Sequence, residues 1–517
     1  MMRKTVFAFV LFTAWSAMGA IQTGHTLYEN KFTEREMDPV QLSRAKVHLP
    51  RGGESGDGAV WIRDPEEKYN NLYRIQLDPA MFSAGGYYVL EAKYRGEDLK
   101  KGERHYFGPA ITLCYKTRSL KNRTRWKGAE IQLGTPNWTH YYYVEKFQPN
   151  DVTEIAIHIN NHRGRGEFYV DWVRISRGRE IPDKAVVPPK NREAAAIRRG
   201  RDIFKADSRN NYSGSITRFR GFQVNSNRLT VKDIEDLGKW GANLIRFAFS
   251  GRESVKTEAE YSRWVDSRIA RLDSLMPHLK RNGIKVVIAF AKIPGAKQTN
   301  YASVNLKNSS DFGALEKAWK KVASHYRKNP NVYGYDLLNE PAGINADDWN
   351  RVAGELVKAI RTVDPETLVI NPFATRFFPG ENMAYSPHIY QPHTLTHQGV
   401  AEQGVAWKYP GYINGVYWDK EQLRVCLKPF IDFQQKYNAR IYIGEFSCIA
   451  WAEGRDRYIQ DCIELFEEYG WDWTYHAFRE WAPWSVEYER AAPYRIRKAD
   501  QDTPAKKTLL KYFRQNR

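Results

Sequence analysis

Cysteine is scarce, with four residues in a chain of 517, at Cys114, Cys426, Cys448 and Cys462. They lie far apart and show no metal-ligand spacing. That excludes a disulfide-stapled scaffold and a cysteine-rich metal site, and leaves buried free thiols as the expected state, with one bridged pair as the alternative. Past the first twenty residues no apolar run approaches the length of a membrane helix, so insertion by a helix is excluded too. No Gly-rich phosphate loop follows a strand-like segment, which removes the main support for nucleotide binding. Acidic residues are outnumbered, 60 to 79, for a formal charge of +19.

What is present begins with a leader-like segment, residues 1–20. Arg3 and Lys4 precede a short apolar run from Val6 to Trp15, and Ala17, Gly19 and Ala20 offer a cleavage site. The pattern predicts a secreted protein, extracellular or periplasmic, with no membrane insertion. The basic excess is spread out except for Lys116 to Lys127 (KTRSLKNRTRWK). Such a run is usually a solvated loop, and contact with an anionic glycan is the sharper alternative. Secretion argues against nucleic acid as the partner. Aromatics are plentiful, 16 Trp and 31 Tyr; they could fill cores or stack on sugars.

Residues 21–178 read as short strands, among them YYVLEAKY (87–94), PAITLCYK (109–116), EIAIHI (154–159) and EFYVDWVRI (167–175). Gly, Pro, Asn and Asp clusters separate them, and no helix is evident. The expectation is an all-β, jelly-roll-like sandwich. The closing strand, Asp171 to Ile175, resembles that of many carbohydrate-binding sandwiches. Residues 179–200 read as a linker, with a short helix near Arg192 to Arg199.

From 201 to 517 the pattern becomes α/β. Eight apolar strands are expected: 219–224, 242–249, 285–290, 332–338, 368–373, 383–390, 440–446 and 473–478. Helix-length amphipathic segments alternate with them, including 260–283 and 347–363, the latter with Asp347 as its N-cap. Eight alternations predict a (β/α)8 TIM barrel, with an open doubly wound sheet as the alternative.

Catalytic groups of such barrels lie at the C-terminal ends of strands. Strand four runs into Asn339-Glu340-Pro341, strand seven ends in Glu445, strand six in His388-Ile389-Tyr390, strand two carries Arg246, and strand eight leads to Glu480-Trp481. Two carboxyl groups facing one another suit glycoside hydrolysis: one protonates the leaving oxygen, the other attacks the anomeric carbon or activates water. The bland alternative, carboxylates at helix starts, leaves the Arg, Asn, His-x-Tyr and Trp at the other strand ends unexplained.

The segments LLNEP, HIY and YIGEFS, with YGWDWTYHAFREWAPWSVEY beyond them, resemble glycoside hydrolase family 5, over roughly residues 210–490. The resemblance implies Glu340 as acid/base, Glu445 as nucleophile and retention of configuration. It implies supporting, substrate-binding roles for Arg246, Asn339, His388, Tyr390 and Trp481, with Trp484 as the other candidate ring. No metal or other cofactor is implied, and the partner is a polysaccharide or oligosaccharide met by a monomer. One departure stands out. The family usually places a His at the end of strand three, just before Pro-Gly, and here Ala291 or a neighbour fills that place. Lys292 beside it reads as a surface lysine, with contact to an acidic sugar as the alternative. Trp407, Tyr409, Tyr412, Tyr417 and Trp418, after strand six, either line a cleft or pack their own loop. His393 and His397 lie in the same loop without the carboxylate spacing of a metal site. The leading reading is an endo-β-glucanase-like retaining hydrolase; an exo-acting enzyme or transglycosylase, or a non-catalytic binding protein on a barrel scaffold, are the alternatives. The sequence does not name the sugar.

Overall fold

A computed structural model describes residues 21–180 and 218–516, apart from 34–47, 50, 55, 57, 64–71, 101–107, 130, 132–136, 163, 252–254, 295–296, 299–303, 306–311, 343, 345, 373–375, 380–381, 401–405 and 415. The leader-like segment and the short helix expected near Arg192 lie outside the described residues.

The N-terminal part is two antiparallel sheets. One has the order His48–Leu49, Ala59–Arg63, Arg165–Glu180, Gly86–Lys100, Thr139–Phe147, with Ile21–Asn30 also paired to Arg165–Glu180. The other runs Leu72–Leu77, Val152–His162, Gly108–Thr117, Arg125–Lys127. Alternate residues of each strand face inward, as a pleated strand requires. Ile111, Leu113 and Tyr115 meet Tyr88, Leu90 and Ala92 of the opposite sheet in one core. The sandwich extends to Glu180, which pairs with Ile21, so the ladder runs two residues past the expected boundary at 178. The basic run forms the turn after Gly108–Thr117 and the edge strand Arg125–Lys127, where Trp126 is 62% exposed.

Eight strands then close into a parallel barrel, in chain order: β1 (Arg220–Val224), β2 (Leu244–Phe249), β3 (Lys285–Phe290), β4 (Val332–Asp336), β5 (Leu368–Asn371), β6 (Met383–Tyr385), β7 (Arg440–Ile443) and β8 (Asp472–Phe478). Helices cover the outside, so both faces of each strand are buried and the strands read as near-continuous apolar runs. Local signals set the helix starts. Thr230 and Asp233 form a reciprocal capping box for Val231–Trp240, and Thr257 and Glu260 do the same for Glu258–Arg281. Asp347 is not an N-cap: the helix Ala346–Arg361 starts one residue earlier, and Asp347 with Asp348 lies in its first turn, where carboxylates favour the helix dipole.

The expected strands six and seven are each broken. Strand pairing with the barrel ends at Tyr385, with a last hydrogen bond from Ser386 N–H to Asn371 O, and at Ile443, and resumes as a separate two-residue ladder in which His388–Ile389 pairs with Glu445–Phe446. Tyr87, Val89 and Val144 on the outer face of the sandwich belong to the same buried apolar cluster as the barrel residues. None of the four cysteines forms a disulfide, and Cys448 and Cys462 are buried. Among the described residues no helix is long and apolar enough to cross a membrane.

Candidate active site

The polar groups at the C-terminal ends of the barrel strands converge on Glu445. Arg246, fully buried on β2, organises them. Its Nη1 donates to Glu445 Oε1 at 2.8 Å and to Gln223 Oε1 at 3.0 Å, its Nε to Asp336 Oδ2 at 2.8 Å, and its Nη2 to Asn339 Oδ1 at 2.9 Å. The last contact fixes the Asn339 amide with its NH2 as the donor end. Burial pushes the Asp336 carboxyl up in pKa against the lowering effect of Arg246.

The short ladder sets His388 directly beside Glu445 in register. His388 Nδ1 stands 2.8 Å from Glu340 Oε1 and 3.7 Å from Glu445 Oε2. Tyr390 donates its hydroxyl to Glu445 Oε2 at 2.9 Å. Gly444 permits this arrangement: a Cβ there would meet Ser386 Oγ at 2.5 Å and His388 Nε2 at 3.0 Å. Glu340 sits at φ 40°, in the left-handed region that costs a non-glycine residue about 1–2 kcal/mol.

The two glutamates differ in environment. The Glu445 side chain is 9% exposed, that of Glu340 33%. Burial alone would raise the Glu445 pKa, but His388, His476 and Arg246, with the Tyr390 hydrogen bond, overcome it and hold it at about 2. Glu340, His388 and Glu445 each place a ligand-type atom within 4.8 Å of the others, and among the described residues they are the group able to hold a metal ion. A cation there would occupy both carboxylates.

The chemistry this permits is that of two carboxyl groups on one bond, and the sequence match agrees. A model of cellulase, glycosyl hydrolase family 5, covers residues 209–480. The chain belongs to glycosyl hydrolase family 5. It is a glycosidase of cellulase-like type. The chain is similar to endoglucanase C of Acetivibrio thermocellus, 26% identical over 308 residues, 51% of this chain and 90% of the relative. It is also similar to endoglucanase 3 of Fibrobacter succinogenes, 27% identical over 149 residues, 26% of this chain and 22% of the relative. Among solved structures, Cel5A of Thermotoga maritima in complex with cellobiose is 19% identical at a TM-score of 0.46, covering 59% of this chain and all of that one (100%).

Within this family 5 domain, Arg246, Asn339, Glu340, His388, Tyr390 and Glu445 are brought together as the strand ends predicted. Trp481 is one ring farther out. It is 42% exposed and packs edge-on against Trp451 and Trp484. The buried Trp484 is the ring beside the site, 6.2 Å from Tyr390 and 5.9 Å from His476 between centroids. His397 also packs there, against Tyr390 and Trp484, and stacks on His393. Burial first, then the charges of His393 and His476, lowers its pKa to about 3. Trp407 and Tyr409 turn inward: Gln398 of the same loop clamps the Trp407 backbone, while Tyr409 packs on the helix Arg455–Glu468, donating to Asp461 at 2.8 Å. Tyr412 and Tyr417 meet edge-on across a small hairpin that also contains Trp418.

Lys292 is not a surface lysine. It is 8% exposed, and its ammonium lies 5.7 Å over the ring of Trp264, on an outer helix. Ala291 is buried with Ala248 and Ala289, so methyl groups build this part of the wall. Sequence reasoning missed Gln223, Asp336 and His476. His476 lies on β8 with its Nδ1 3.0 Å from the Tyr390 hydroxyl. The signal was there: WTYHAF places a histidine at the end of a barrel strand, the same rule that found the others.

Proposed function

We propose that this enzyme is an endo-acting, retaining β-glycosidase that cuts within a β-glucan-type polysaccharide. The observation that carries the reading is the carboxylate pair: oxygens of Glu340 and Glu445 lie within 4.8 Å of each other. Retaining glycosidases hold their carboxyl groups about 5–5.5 Å apart, whereas inverting ones leave roughly 6.5–9.5 Å for a water. The environments divide the roles. Glu445, buried, held ionised and fixed at both oxygens, suits the nucleophile; Glu340, the more exposed and set beside His388, suits the acid/base.

In the first step a Glu445 oxygen bonds to the anomeric carbon as the bond to the leaving oxygen breaks, and Glu340 protonates that oxygen. In the second, Glu340 takes a proton from water, whose oxygen displaces Glu445. Asn339, with its NH2 end set by Arg246, is placed to meet the sugar 2-hydroxyl, and Trp481 and Trp484 form an aromatic edge for further sugar rings. The similarity to endoglucanases supports internal cleavage of glucan. The leader-like segment supports secretion, which N-terminal sequencing of the exported protein tests.

The test is release of reducing ends from a panel of neutral and anionic β-glucans, mannans and xylans, with the first product anomer read by proton NMR. The wild type should release β-configured ends. Glu340→Ala should lower the rate about 10²–10⁴-fold, and Glu445→Ala should abolish it. First-formed α-anomer would refute retention, and unchanged activity in either variant would refute the assignment of residues.

A further inference from the structure

His476 is a histidine in the heart of the site that the two-carboxylate mechanism does not use. Its Nδ1 stands 3.0 Å from the Tyr390 hydroxyl and 4.0 Å from Glu445 Oε2, and its Nε2 is 3.7 Å from Glu480 Oε2. The Tyr390 oxygen therefore has two partners in line, Glu445 at 2.9 Å and His476. A phenol has one proton to give. If it went to His476, the buried Glu445 Oε2 would face only oxygen lone pairs at hydrogen-bond distance, an arrangement that burial makes costly. The proton thus belongs to Glu445, and His476 Nδ1 must carry an N–H that donates to the phenol. On the other side, His476 Nε2 lies 3.7 Å from Glu480 Oε2, a buried atom with no hydrogen-bond partner among the described residues, so a proton on Nε2 as well would face a carboxylate.

We propose that His476, braced by Glu480, is a positioning residue: by donating Nδ1–H to Tyr390 it commits the Tyr390 proton to Glu445 and so fixes the attacking carboxylate. The assignment rests on the reading of Glu445 as nucleophile. The groups facing the imidazole agree with the doubly protonated form. They are Glu445 from the short ladder after β7, Glu480 from the segment after β8, Glu340 from beyond β4, and Tyr390 and His397 from beyond β6. Burial opposes the charge, but the carboxylates outweigh it and raise the His476 pKa to about 9. His397 adds no competing cation, since its own pKa is low.

Two measurements on the full chain test this. The first needs no substrate: long-range proton–nitrogen NMR of the imidazoles, with His476 assigned by its loss in His476→Asn. Both ring nitrogens of His476 should be protonated at neutral pH, and Glu480→Gln should lower its titration midpoint by about one unit or more. A single-proton tautomer at neutral pH would overturn the proposal. The second uses 2,4-dinitrophenyl β-cellobioside, whose leaving group needs no acid, so that the rate reports attack by Glu445. His476→Leu should slow this step about tenfold and move the acid limb of the kcat/KM profile upward. In a Tyr390→Phe background the same change should cost less than about twofold, because the path through the phenol is already gone. Full additivity, or an unmoved acid limb in a His476→Leu protein with wild-type circular dichroism, would overturn it. If the wild type does not cleave this glycoside, the glycan reading fails while the imidazole titration still decides the role of His476.

Discussion

Glu445 and His476 hold opposite charges in the same buried space, and each keeps the other ionised. The signs give a pH window. Glu445 titrates in the fold at about 2, below its unfolded value, so its contribution to stability is complete above the ordinary carboxylate range and is lost as pH falls through that low value. His476 is raised to about 9, so its contribution is complete below the ordinary histidine range and is lost as pH rises through that value. Thermal unfolding followed across pH should therefore show a plateau that falls at both ends. Glu445→Gln should flatten the acid side and His476→Asn the alkaline side; an acid limb unchanged in Glu445→Gln would contradict the assignment. Gly444 gives a second expectation at this scale. Its missing Cβ is the space that Ser386 and the His388 ring use, so Gly444→Ala should displace His388 and lower kcat/KM on the order of 10²-fold. The unfolding midpoint should move little. A variant with wild-type kinetics would show that the close approach is not required.

Strand ends were the legible part of the elements. A run of buried residues ending in a polar group is visible in one sequence, which is why Arg246, Asn339, Glu340, His388, Tyr390 and Glu445 are legible there. What could not be seen is where hydrogen bonding stops. The expected strands 383–390 and 440–446 read as continuous, yet pairing breaks at Ser386-Pro387 and at Gly444, because Pro387 has no N–H to donate and Gly444 holds the space used by the His388 ring. Lys292 departs from the expected surface position for a related reason: a charged residue after a strand reads as exposed, yet here its ammonium lies over the Trp264 ring of the neighbouring helix. The segment after β8 is a third case. Arg479 donates to Asp233 and Asp236 on Val231–Trp240 and to Glu487 beyond it, tying down the stretch that carries Trp481 and Trp484. Arg479→Ala should loosen that aromatic edge, raising KM for a polymeric glucan several-fold while kcat falls less than about twofold. An equal loss in kcat would mean that the loop also sets the geometry of the carboxylates.

The sandwich is joined to the barrel through the outer faces of two of its strands, Gly86–Lys100 and, through Val144, Thr139–Phe147. In Gly86–Lys100, Tyr88, Leu90 and Ala92 enter the sandwich core, while Tyr87 and Val89, on the opposite face, enter the barrel's. One strand thus serves two cores by simple alternation. Val89→Asp places a charge in the second of them and should uncouple the two units. Calorimetry should then resolve two unfolding transitions, with the barrel transition lowered; a single transition at the wild-type temperature would mean the contact adds nothing. The two-residue ladder of His388–Ile389 with Glu445–Phe446 has a consequence on another timescale. The ring of eight strands closes without it, so selection for a folded barrel and selection for a working pair of glutamates act on different hydrogen bonds. Descendants of this chain can drift away from hydrolysis while inheriting an intact barrel, and the first differences to expect in such a lineage are at His388, Gly444 and Glu445.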